Sequence, residues 1–141
     1  MRFMLMIKAD ARTEAGVLPS QALLADMNRY NEELVRAGVL LAAEGLKPSA
    51  QGARVRLHAT QRTVLDGPFA EIRELIAGFW LIQASSLEEA IEWVKRCPHP
   101  LEGEPEIEIR PVYEAGDFGA ASTPELRERE LRLRARIANQ P

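Results

Sequence analysis

The sequence predicts an α+β domain: an antiparallel-rich sheet with two helices packed on one face, followed by a separate C-terminal helix. Three observations predict it. Two short segments, Phe3 to Ile7 and Phe79 to Ile82, are apolar at every position, as strands buried on both faces are. Each is followed by a stretch whose apolar residues recur at helical spacing, and then by another short strand. The last part of the chain, from Thr123 to Asn139, is built mostly of Glu, Arg and Leu, a different composition from everything before it.

The elements follow in order. Phe3 to Ile7 forms the first strand, and Ala9 to Pro19 reads as a loop. Ser20 can cap a helix carrying Leu23, Met27, Tyr30 and Leu34 on one stripe, and Gly38 is placed to end it in a left-handed cap. Val39 to Ala43 is a second short apolar strand. Glu44-Gly45-Leu46-Lys47-Pro48-Ser49 bends the chain. Arg54 to His58 alternates, with Val55 and Leu57 on one side and Arg54, Arg56 and His58 on the other. A turn near Ala59-Thr60-Gln61 returns the chain through Arg62 to Leu65 as a hairpin, half solvated on its polar face. Asp66-Gly67-Pro68 is a second turn, and Glu71 to Glu74 a charged loop or short helical turn. Ile76 to Ala84 holds the central apolar strand. Ser86 with Glu89 reads as a capping box for a helix whose stripe is Leu87, Ala90, Ile91 and Val94. Cys97-Pro98-His99-Pro100 ends it. Ile107 and Ile109 mark a last strand, closed by Pro111.

This strand–helix–strand pattern, repeated once, is that of a ferredoxin-like protomer. The domain is expected over residues 1–113, with a linker and charged helix over 114–141. In that tail Thr123 caps and Pro124 takes the first helical position. Glu125–Arg129, Glu128–Arg132 and Glu130–Arg134 are spaced as ion pairs. Leu126, Leu133 and Ile137 form only a thin stripe, so the helix is a solvated appendage or a partner-contacting arm.

Two helices cover one face of a sheet, yet both central strands are apolar on both faces. The uncovered face exceeds what a soluble monomer usually exposes. The simplest cover is the same face of a second copy, so a two-fold homodimer joined through the sheet is expected. A chain of 141 residues, 46% hydrophobic and 28% charged, can bury a core without a disulfide or metal. Its net charge of −3 gives no electrostatic reason to bind nucleic acid or an anionic membrane. The apolar start is too short for an export segment and no run is long enough to span a bilayer. With one cysteine, Cys97, the chain is expected to be cytoplasmic.

Asp66 is the leading candidate for chemistry. At a strand end, shielded by Phe69 and Trp80, its carboxylate could act as a base or bind a cationic or hydroxyl-bearing ligand. The same residues also read as a plain turn, with Gly67 and Pro68 setting its geometry and Gly45 that of the preceding bend. Glu44 would be the second acid of an acid–base pair, or a member of a solvated bend with Lys47. His58 and Arg62, on the hairpin, complete the candidate ligand-binding set with Lys47, Phe69 and Trp80, although a wet polar face is the better account of the two hairpin residues. Cys97 and His99 lack the further ligands a structural zinc needs, so no metal and no cofactor is expected. Asp117-Phe118-Gly119 has no phosphate-binding loop or catalytic loop to support a kinase reading.

The run Asp66-Gly67-Pro68-Phe69-Ala70-Glu71, with Gly78-Phe79-Trp80 and Leu87-Glu88-Glu89-Ala90, resembles the YCII-related proteins of the DGPF subgroup. Arg2-Phe3-Met4-Leu5, the Gly38 turn and Glu44-Gly45-Leu46 match in order. The resemblance implies a dimeric α+β barrel, two ferredoxin-like protomers joined sheet to sheet. For function it implies either a small-molecule enzyme with a His–Asp pair beside the sheet or a regulatory role linked to sigma factors. This chain has Lys47 where relatives often carry a histidine, and Ile72-Arg73 where many carry Thr-Lys. Both departures weaken the transfer of a catalytic histidine to this chain.

Overall fold

The structure is a computed structural model and describes residues 1–99 and 103–141. Pro100, placed at the helix end by sequence, lies outside the described residues. The chain divides into two compact units, Met1–Pro111 and Val112–Pro141.

The first unit holds a four-stranded sheet. Its strands are β1 (Arg2–Lys8), β2 (Leu40–Gly45), β5 (Ile76–Gln83) and β6 (Ile107–Pro111), in the order β2-β5-β1-β6. Every neighbouring pair is antiparallel. With α2 (Gln21–Arg36) after β1 and α3 (Leu87–Lys95) after β5, this is the ferredoxin-like order. A separate two-stranded ribbon, β3 (Ala53–His58) with β4 (Gln61–Asp66), is inserted between β2 and β5.

Register explains the two-faced strands. Phe3 lies opposite Ile82 and Leu5 opposite Trp80, so these four share one face. On that face they are buried with Tyr30 and Leu34 of α2 and Ala90 of α3. Both helices therefore pack on the same side. Phe3, Leu5, Leu34 and Ile82 are the largest fully buried side chains, each worth about 1.5–3 kcal/mol of transfer free energy. On the opposite face two cross-strand rows run over the sheet. One is Glu44, Phe79, Met6 and Glu108; the other is Ala42, Leu81, Met4 and Arg110. Their apolar members are partly exposed.

Local signals behave as their chemistry dictates, with three corrections. Ser20 caps α2 by accepting from the Leu23 amide, and Gly38 sits at φ 71° after it. The segment expected as a plain loop contains α1 (Ala11–Glu14), nucleated by a capping box in which Asp10 and Thr13 bond each other reciprocally. The box expected between Ser86 and Glu89 is displaced. Ser86 accepts from the Glu89 amide, but the Glu89 carboxylate accepts from the amide and hydroxyl of Ser85. The ribbon is more solvated than one polar face implies, because Val55 and Val64, paired across its other face, are both exposed.

In the second unit α4 (Pro124–Ala138) is capped by Thr123. Ion pairs form between Glu128 and Arg132 and between Glu130 and Arg134. Before it, residues Ala115–Ala121 form 3-10 turns, with the Tyr113 and Phe118 rings stacked at 5.1 Å. No helix among the described residues is long and apolar enough to cross a membrane.

Candidate functional site

The Asp66 turn closes the base of the ribbon. Asp66 ends β4 opposite Ala53, and the Gly67 amide donates to the Gly52 carbonyl at 3.1 Å. The Gly67–Pro68 peptide is cis. Gly67 is required by packing: a Cβ there would stand 1.7 Å from the Ser49 carbonyl oxygen. Ser49 opens a 3-10 turn (Ser49–Gln51) after Pro48, and its hydroxyl is a hub. It accepts from the Phe69 amide at 3.1 Å and donates to the Glu14 carboxylate, which also accepts the Ser49 amide at 3.0 Å. The Phe69 ring carries the Arg54 guanidinium 3.9 Å from its centroid, a cation–π contact. Three segments distant in sequence thus immobilise one turn. The Asp66 side chain itself is exposed and, among the described residues, has no hydrogen-bond or ion-pair partner.

The other sequence candidates fall in three places. Glu44 is exposed on the outer sheet face near the end of β2, and Lys47 is exposed just beyond it, before the turn that carries Ser49. Gly45 pairs with Gly78, and the tight approach is at Gly78, where a Cβ would meet the Glu44 carbonyl at 2.9 Å. Trp80 belongs to the core: its indole Nε1–H donates to Asn31 Oδ1 at 2.8 Å and its ring meets Tyr30 edge-on at 5.7 Å. His58 and Arg62 are at the ribbon tip, where Arg62 donates to the Ala59 and Gln61 carbonyls at 3.1 Å. The tip is five strand residues from Asp66, roughly 17 Å at the usual rise. The fold therefore brings Arg54 onto Phe69 beside the turn, on the ribbon face opposite Asp66, and keeps His58 and Arg62 at the far end of the ribbon.

The sequence reading missed Glu14, Ser49 and Arg54 as members of this constellation. No linear spacing links residues 14, 49 and 69, so only the tertiary fold could reveal them.

A cleft of about 370 Å³ lies elsewhere, on the helix side, against Ile7, Met27, Val94, Cys97 and Ile107. Asp66 does not line it. Burial pushes the Cys97 thiol up to about 11, and the thiol donates to the Pro98 carbonyl. Burial also raises Tyr30, whose hydroxyl donates to the Trp93 carbonyl at 2.7 Å. Among the described residues no group of three or more His, Cys, Asp or Glu is arranged to hold a metal ion.

A ferredoxin-like sheet with an inserted ribbon and a clamped Asp-Gly-Pro-Phe turn defines a class of small α+β domain. The model of the YCII-related domain matches residues 1–115, and the chain belongs to that family. An uncharacterised protein of Rhizobium meliloti (strain 1021) is 31% identical over 100 residues, covering 70% of this chain and 81% of that one.

Proposed function

We propose that the chain is a subunit of a homodimeric small-molecule-binding protein of the DGPF subgroup, cytoplasmic in place, with Asp66 as its ligand-binding carboxylate. One observation carries the reading: an exposed, unpartnered carboxylate stands on a turn that Gly67, Ser49 and Glu14 hold fixed. A fixed backbone leaves only the Asp66 side-chain torsions to be ordered on binding, which favours affinity. A carboxylate recognises a cationic or hydroxyl-bearing ligand. The sheet-to-sheet homodimer is supported by the partly exposed outer face of Met4, Met6, Phe79 and Leu81. Glu44 and Lys47 lead into the Ser49 turn. An acid–base role for Asp66 with Glu44 would require both carboxylates at one ligand.

The test is a thermal-shift screen with small amines and polyols, ethanolamine, putrescine and glucose among them. A rise in Tm for the wild type that is absent in Asp66→Asn supports the reading. A screen with no rise, or a rise that Asp66→Asn retains, overturns it. A regulatory reading, a dimer contacting a protein such as a sigma factor, is favoured by the exposed stripe of Leu126, Leu133 and Ile137 on α4. Chains lacking residues 120–141 would then lose a co-purifying partner while remaining dimeric.

A further inference from the structure

The β3–β4 ribbon poses a physical problem. A lone two-stranded hairpin is marginally stable in water and needs packing on a third element. Here all the ribbon's residues except Leu65 are exposed. Register places Ala53, Val55, Leu57, Arg62, Val64 and Asp66 on one face. Of these, Leu57 is 74% exposed, Val64 63% and Val55 53%. An apolar strip of this kind on a projecting ribbon marks a surface made for contact.

The chain offers a complementary surface. Leu41 and Leu46 are exposed along the β2 edge of the sheet, flanking Glu44. Glu44, on the outer face, has no ion-pair partner among the described residues, whereas Glu108, at the far end of the same row, meets Lys8 and Arg110. The ribbon brings the opposite charge. On the apolar face that charge is Arg62, which bonds only backbone carbonyls, while Arg54 and Arg56 lie on the reverse face. One chain thus holds an apolar ribbon face that carries Arg62 near the tip and an apolar edge that carries Glu44. A two-fold pair of copies satisfies both at once and leaves neither surface open.

We infer that the ribbon is a dimer arm: its Val55–Leu57–Val64 face lies along the β2 edge of a second copy, with Arg62 on Glu44 of that copy. The inference rests on the homodimer proposed above and adds what that reading lacks. Asp66 shares the arm's contact face, so the carboxylate would look toward the second copy and the binding site would lie between copies.

Dilution series by light scattering on the full chain test this. Arg62→Glu and Glu44→Arg should each raise the dimer dissociation constant roughly tenfold, and the double reversal should restore it. Leu57→Asp should weaken the dimer at least as much. Its exposure means the protomer fold tolerates the change, which circular dichroism checks. Dimers unaffected by all three single changes overturn the arm while leaving the homodimer standing. Reversals that weaken the dimer without mutual rescue overturn the Arg62–Glu44 pairing. If Leu133→Asp dissociates the dimer and Leu57→Asp does not, the contact belongs to α4 and the arm is wrong. A wild type that is monomeric at micromolar concentration overturns the homodimer itself, and the arm with it.

Discussion

Gly67 shows how a single residue can be fixed by something far away in the chain. Its dipeptide with Pro68 announces a turn, and that much was legible. The reason for glycine was not, because the obstacle is the Ser49 carbonyl oxygen, 1.7 Å from where a Cβ would stand. Backbone cannot step aside as a flexible side chain can. Gly67→Ala is therefore expected to lower stability by about 3 kcal/mol, read as a reduced urea midpoint with unchanged slope. Cys97 gives a second prediction at this scale. Burial pushes its thiol from 9.0 to about 11, which lowers the reactive thiolate fraction near neutral pH by roughly 100-fold. Iodoacetamide at pH 7.5 should label the native chain slowly and the urea-unfolded chain fast. Equal rates would contradict the buried thiol.

At the scale of the element, the start of α3 shows what spacing can and cannot fix. Ser and Glu three apart identified the helix start correctly. They could not say which amide the carboxylate would choose, and it takes the amide and hydroxyl of Ser85. Those bonds hold the Glu89 carboxyl below its ordinary 4.5, the Ser85 hydroxyl contributing most. A folded pKa below the unfolded one means the contribution is present above about pH 4.5 and is lost as pH falls through the lower, folded value. Glu89→Gln should flatten the acid limb of stability in that window, measured by thermal unfolding from pH 3 to 6. The short α1 escaped the sequence reading for a related reason. Four residues show no helical periodicity, and only the reciprocal Asp10–Thr13 bonds reveal them. In α4 the capping and pairing signals were plain, yet exposed pairs such as Glu130–Arg134 contribute little to stability, typically below about 1 kcal/mol.

For the whole molecule, the strand order followed from the repeated strand–helix–strand pattern, because antiparallel neighbours and two helices on one face leave few arrangements. The clamp beneath Asp66 did not follow, since it joins α1, the Ser49 turn and the Phe69 segment after β4 through contacts without any sequence period. Trp80 looked like a candidate wall for the site, but the alternation of β5 places it in the helix-side core with Asn31. Among the described residues the buried hydrophobic ones all lie between Phe3 and Ala90, within the unit Met1–Pro111. A chain ended after Pro111 is expected to keep a single cooperative thermal transition. A broad, non-cooperative melt would place essential packing in the remainder.

The position of β1 has a consequence in time. It is made before the other strands of its unit, yet it lies between β5 and β6, the last of them to be made. While the ribosome is still translating the helix and ribbon, Phe3 and Leu5 have no strand to pair with. Their sheet closes only when the late strands emerge, so folding depends on non-local pairing and is expected to be slow for a protein this small. An unpaired apolar strand in a nascent chain is a target for chaperones and for aggregation. The charged ends of that strand, Arg2 and Lys8, are its own protection during the wait.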